Sequence, residues 1–241
     1  MKVLALLTAF GLSTTTLGAN GDDLKAYEAR YKATAMGLSA TAYRNLTHDD
    51  DGTYLLQNSL TLAVFRATVG SVTETSRFRW YDGNLIPLQY EYIQTGISST
   101  SERIDFDWEN SVARSAVKSE SWDLTLAAGY QDKLSYSTRL GQDIAASDLQ
   151  EFTYQIIDGD EVEEHRYRIT AEEIITTPVG NLNTVKIERI RESGSSRRTT
   201  VWLARDWDFL LVRLEQVNSS GRLTELNLES AVVGGVTLSG L

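Results

Sequence analysis

The chain has 241 residues with an apolar fraction of 41%, enough to bury a substantial core, so a disordered chain is excluded. Lys and Arg number 23 against 33 Asp and Glu, for a formal charge of -10, and such a surface repels nucleic-acid phosphates. There is no cysteine, which excludes disulfides, thiolate metal sites and the N-terminal lipid anchor of a bacterial lipoprotein.

Met1 to Ala19 reads MKVLALLTAFGLSTTTLGA: a lysine, a short apolar run from Val3 to Leu12, then small polar residues before Gly18-Ala19. The pattern predicts a secretory signal peptide, since the run is shorter than the roughly 20 residues that span a bilayer. The expected mature protein begins near Asn20, does not span the membrane and works in the periplasm as a soluble protein.

From Lys25 onward the sequence alternates. Tyr27, Ala29, Tyr31 and Ala33 share one parity, and Leu38, Ala40, Ala42 and Leu46 share another, the period of two of half-buried strands. After the polar turn His48 to Gly52, strands are predicted at Tyr54–Phe65, Val72–Tyr81, Leu85–Gln94, Arg103–Glu109 and Val112–Leu126. Gln131 to Ala146 breaks the alternation. Asp132 is placed to cap a helix there, and Leu134, Thr138, Leu140 and Ile144 lie near helical spacing, although Gly141 is a weak helix former. Strands resume at Glu151–Ile157, Val162–Thr170, Glu173–Thr177, Leu182–Arg191, Arg198–Ala204, Phe209–Val217 and Leu223–Val233.

No linker-like segment divides this series, and only two prolines occur in the chain. The expected fold is mainly β: residues 20–241 form a single β-rich domain, a large curled antiparallel sheet (half-barrel or open barrel) with one mid-chain helix over its hollow.

The hairpin FRWYDGNLIPLQYEY, Phe78 to Tyr92, has an echo. Thr75–Glu91 laid on Thr199–Glu215 matches Asp82 to Asp206 and Ile86, Leu88, Tyr90 to Leu210, Val212, Leu214. Parity predicts that these two triplets face inward, with Gln89, Glu91, Arg213 and Glu215 outward. Pro87 cannot donate a ladder hydrogen bond, which places it on an edge or at a bulge.

Little of the chain suggests catalysis. The two histidines, His48 and His165, read as surface residues in a polar turn and a charged strand, and no G-x-S-x-G elbow accompanies them. Asp49, Asp50 and Asp51 lack the alternation of a calcium loop, and Asp206 and Asp208 read as exposed turn acids. No catalytic residue, metal or cofactor is expected. Trp80, Tyr90, Trp122, Tyr136 and Trp202 are the ligand-binding candidates, because aromatic side chains line apolar and sugar pockets as well as cores.

The segments QDKLSYSTRL (Gln131 to Leu140), TTPVGNLNTVKIERI (Thr176 to Ile190) and VWLARDWDFLLVRLE (Val201 to Glu215), in that order, resemble a family of exported bacterial proteins catalogued as domain of unknown function 3108. The resemblance extends from Tyr27 to the final strands. It implies a Gram-negative periplasmic protein built as a curled antiparallel sheet, in outline similar to the half-barrel of periplasmic lipoprotein carriers, with one helix in place of several. It supplies no catalytic residues. Three kinds of role remain open: a carrier of a lipid or other apolar envelope molecule, a module that binds an envelope protein, and a carboxylate-dependent hydrolase. An outer-membrane barrel is a weaker fourth.

Overall fold

A computed structural model of the chain describes residues 23–35, 38–64, 67–96 and 98–240. The predicted signal peptide lies outside the described residues. The first half is a meander of eight strands: β1 (Tyr27–Ala35), β2 (Leu38–His48), β3 (Thr53–Val64), β4 (Ala67–Tyr81), β5 (Asn84–Gly96), β6 (Thr100–Asp107), β7 (Val112–Val117) and β8 (Glu120–Thr125). The helix α1 (Ser135–Ala146) follows. The second half contains β9 (Glu151–Asp158), β10 (Glu161–Thr177), β11 (Gly180–Ile190), β12 (Arg198–Ala204), β13 (Leu210–Val217), β14 (Leu223–Val233) and the short β15 (Val236–Thr237), with a 3-10 turn at Arg205–Trp207.

Every strand of each half pairs antiparallel with its neighbour in sequence, and β14 returns to pair with β1, Tyr27 opposite Val233. One sheet therefore runs from β8 at one end to β9 at the other. Those two ends do not pair, so the sheet curls without closing. The alternation predicted this directly: Ala29, Tyr31 and Ala33 are all buried on the concave side.

Helix α1 carries the chain from the β8 end to the β9 end and packs against β4, β5 and β9. Its entry is fixed by buried polar groups. Asp132 Oδ1 accepts hydrogen bonds from the backbone N–H of Leu134 (2.8 Å) and Ser135 (2.6 Å), which holds the turn leading into the helix, but the cap position is Leu134, two residues later than predicted, and it makes no side-chain cap bond. Leu140, Gly141 and Ile144 turn inward. A Cβ at position 141 would stand 3.0 Å from Phe209 Cβ, which is why a glycine is kept inside this helix.

The segment before the helix also ties the open seam. Gln131 exchanges backbone hydrogen bonds with Gln155 and Ile157 along β9 (2.9 and 3.0 Å), and its side chain donates to Leu85 O on β5 (3.2 Å). One buried glutamine thus bridges the free end of the second half to the middle of the first.

The structure corrects the predicted strands in three places. Val112–Leu126 is not one strand but the hairpin β7–β8, turned at Lys118, whose φ of 55° leaves the strand region. Val162–Thr170 and Glu173–Thr177 are a single strand, β10, whose register shifts between Ile169 and Ala171 instead of breaking. In β5 the register shifts opposite Arg77 and Phe78, which pair with Gln89 and Pro87 and leave Leu88 as the extra residue of a bulge. Pro87 is therefore at a bulge in an interior strand. The bulge reverses parity, so Leu85, Pro87 and Tyr90 are buried, whereas Ile86 and Leu88, expected to face inward, are only half-buried.

The echo hairpin behaves alike. Trp202 pairs with Arg213 and Leu203 with Leu211, so Val212 is the extra residue, the position that aligns with Leu88. The turns differ. Asp82 and Gly83 have φ of 48° and 67°, a two-residue turn of the kind that matches strand twist, whereas β12 and β13 are joined through the 3-10 turn.

Candidate functional site

Between the concave face of the sheet and α1 lies a cavity of about 610 Å3. This is within the range of about 300–1,000 Å3 typical of small-molecule sites. One wall is mostly apolar: Val201 and Leu203 from β12, Leu211 and Leu214 from β13, and Leu226 from β14, with the uncharged polar Thr199, Gln216 and Thr224 on the same strands. The wall from the first half mixes Leu60 and Val72 with Arg44, Asn58, Glu74 and Tyr92.

These four polar residues form a straight rung across the sheet. Arg44 on β2 is directly opposite Asn58 on β3, Asn58 opposite Glu74 on β4, Glu74 opposite Tyr92 on β5, and Tyr92 opposite Glu102 on β6. Inward parity puts them there: Arg44 lies between buried Ala42 and Leu46, and Glu74 shares its face with buried Ser76 and Phe78. Arg44 Nη1 donates to Asn58 Oδ1 (3.0 Å), and Asn58 Nδ2 donates in turn to Glu74 Oε2 (3.0 Å). Glu74 Oε1 accepts from the hydroxyl of Tyr90 (2.9 Å).

Arg44 is the hub. Its Nε donates to the Tyr27 hydroxyl (2.9 Å) and its Nη2 to Ser137 Oγ on α1 (2.6 Å), so one guanidinium joins β1, β2, β3 and the helix. Burial works against its charge, but the Tyr27 and Tyr31 hydroxyls and Glu74 offset this and hold its pKa above the ordinary arginine value. Burial pushes the Glu74 carboxyl up, against the hydrogen bonds from Tyr90 and Asn58. Tyr90 is pushed well above the usual phenol range, first by burial and then by the charges of Glu74 and Glu102.

The far end of the rung is closed by Lys133, which precedes α1. Its ammonium pairs with Glu102 on β6 and with Asp158 at the end of β9 (2.8 Å). Beside it Asp132 is wholly buried, accepts a third hydrogen bond from Ser76 Oγ (2.6 Å), and is pushed by burial up to about 6.

Of the five aromatic candidates, Tyr136 lines the cavity, stacked on Tyr167 with ring centroids 5.5 Å apart, and Tyr90 stands behind it, reaching Glu74 through its hydroxyl. Trp80, Trp122 and Trp202 are not among the lining residues. Trp80 packs against the core of the first half, and Trp122 is half-buried on the end strand β8. Trp202 is buried beneath Lys186 and Arg213 and donates its indole N–H to Glu173.

The His165 reading needs correction. It is 8% exposed rather than on the surface, hydrogen-bonded to Glu163 (2.8 Å) and set edge-on to Tyr136 and Tyr167. Its flanking charged residues on β10 point the other way, which hid its parity. Burial holds its pKa below the ordinary histidine value. His48 is exposed, as expected, and stacks on Tyr54.

A second hollow of about 630 Å3 lies at the turn of the β4–β5 hairpin, where Tyr81 and Asn84 meet Trp108, Arg139 and Asp143. Arg139 and Asp143 are already engaged there: Arg139 pairs with Asp143 (2.8 Å) and donates to Gly83 O (3.0 Å), and Asp143 accepts from the Tyr154 hydroxyl (2.8 Å). This region braces α1 against the hairpin.

Sequence reasoning missed Arg44, Asn58 and Glu74. The signal was present as polar residues at inward parity on three successive strands, but register, which long-range pairing sets, is what joins them into one rung.

No curated protein matches the chain. Among solved structures, it is similar to the crystal structure of a beta-barrel-like protein of domain of unknown function DUF1849 from Brucella abortus, with a TM-score of 0.58, 10% identity, and coverage of 87% of this chain and 98% of that one. A more distant likeness, with a TM-score of 0.36 and 12% identity, covers 84% of this chain and 93% of a Bacteroides fragilis protein described as exported and of YmcC-like fold. At 10% identity the first likeness establishes the fold alone. Residues 26–226 match the family model described as "Protein of unknown function (DUF3108)", and the chain belongs to that family.

Proposed function

We propose that the protein is a non-catalytic binding or carrier module of the bacterial envelope, exported to the periplasm by Met1 to Ala19 and working there as one domain over residues 20–241. Its ligand is an amphipathic envelope molecule held in the cavity under α1. The observation that carries this reading is the uneven cavity wall: the β12–β14 side is mostly leucine and valine with no charged lining residue on those strands, and it faces the charged rung on β2–β5 across about 610 Å3. An apolar cavity with a few convergent polar groups suits a ligand with a tail and a head. Glu74, the acid of the rung, is tied to Tyr90 and Asn58 and does not form a carboxylate pair, which favours holding a molecule over hydrolysing one.

Native mass spectrometry of protein purified gently from its own periplasm tests the reading. The expected spectrum contains the mature chain carrying a small amphipathic molecule, and Leu214→Trp, which fills the cavity, removes that mass. A chain retained with a protein partner and no small molecule would overturn it.

A further inference from the structure

Three cations line the cavity, and two are neutralised. Lys25 pairs with Asp208 (2.9 Å), and Lys133 pairs with both Glu102 and Asp158. Arg44 has no carboxylate within ion-pair distance among the described residues. Its three hydrogen bonds go to a phenol, an amide and an alcohol, which orient the guanidinium without cancelling its charge. A guanidinium has five N–H donors, so two are left. A charge held in partly dry surroundings gains most from an anionic partner, and the planar fork fits carboxylate and phosphate oxygens.

Glu74 is the nearby acid on the rung, and it reaches Arg44 only through the amide of Asn58. Each of its oxygens already accepts one hydrogen bond, from Tyr90 and from Asn58, and burial raises its pKa, which weakens it as a partner for a cationic head. Apolar side chains lie along the wall that carries Arg44, at Leu60 and Val72, and along most of the opposite wall, at Leu211, Leu214 and Leu226.

We infer that the ligand is an anionic amphiphile, its carboxylate or phosphate head paired with Arg44 and its alkyl tail lying along the leucines of β13 and β14. This rests on the cavity reading above, and the two fail separately. In the unmodified protein at about pH 8, where a free carboxylate is ionised, dodecanoate and dodecyl phosphate should bind at least about tenfold more tightly than dodecanol, as expected of a charge-assisted hydrogen bond. Inorganic phosphate alone, lacking the tail, should bind at least about a hundredfold more weakly than dodecyl phosphate. Arg44→Gln should lose the preference for the anions, its dodecanoate and dodecanol affinities falling within about twofold of each other. Arg44→Lys, which keeps the charge without the fork, should retain part of it.

Equal affinity for dodecanol and dodecanoate, or a preference that survives in Arg44→Gln, would overturn the assignment of Arg44 while leaving the cavity in place. Phosphate binding as tightly as dodecyl phosphate would overturn the amphiphile in favour of a simple anion. Binding of none of the twelve-carbon probes would overturn both readings. If Arg44→Gln fails to fold, the unmodified protein and Arg44→Lys decide the matter, because the ratio of anion to alcohol affinity is read on folded protein.

Discussion

Arg44 and Lys133 both bring a positive charge to the same cavity, and their surroundings give them opposite work. Lys133 stands between Glu102 on β6 and Asp158 on β9, so its ion pairs join the two halves of the sheet near the seam that backbone hydrogen bonds leave open. Arg44 is held by Tyr27, Asn58 and Ser137, all neutral. A cation matched by two carboxylates is a clamp. One oriented by neutral acceptors keeps its charge available for a ligand, because orientation and neutralisation are separate effects.

The largest expected effect lies beside the clamp, at the buried Asp132 that precedes Lys133. Its carboxyl is raised to about 6 from an ordinary 3.8, so the folded chain binds a proton that the unfolded chain has released between those values. The contribution of Asp132 to stability is therefore greatest below about pH 4 and falls by about 3 kcal/mol as pH rises through 6. Asp132→Asn keeps the acceptor for Leu134 and Ser135 without the charge. Urea denaturation from pH 4 to 8 should show the variant gaining on the natural chain by that amount, whereas a constant difference would mean that the folded carboxyl titrates normally.

A smaller loss is expected at the clamp itself. Lys133→Met strands Glu102, which is 8% exposed, and should cost about 2 kcal/mol in the same assay. The preference for dodecanoate over dodecanol should stay within about twofold of the natural protein. If that preference collapses instead, the distinction between the two cations is lost.

The smallest effect lies on the rung. Glu74→Gln removes a negative charge two strands along the rung from Arg44 and should raise the preference for dodecanoate over dodecanol about fivefold. Weaker dodecanoate binding would show that Glu74 tunes Arg44 in the opposite sense.

Much of the architecture was legible because it is written in local period and in turn chemistry. The alternation at Tyr27 to Ala33, the Asp82-Gly83 turn and the turn that Asp132 holds before the helix each depend on neighbours in the chain. Pro87 announced its bulge because it has no N–H to give. Local period failed where one residue is added to a strand: the bulge at Leu88 turned the expected inward stripe of Ile86 and Leu88 aside, and nothing in the composition of the hairpin marks which residue is extra. His165 was hidden for a related reason, since its charged neighbours obscured the parity that buries it.

By itself, then, the sequence determined a mainly β chain, the order of nearly all its strands, and one helix and where it ends. These follow from hydrogen-bonding and burial preferences that act over a few residues. Only the tertiary structure decided that β14 returns to β1, that the sheet stays open between β8 and β9, and that Arg44, Asn58, Glu74 and Tyr92 stand in one rung facing the leucines of β13 and β14. Those residues lie far apart in sequence, and it is strand register together with the curl of the sheet that brings their charges and apolar surfaces around one cavity.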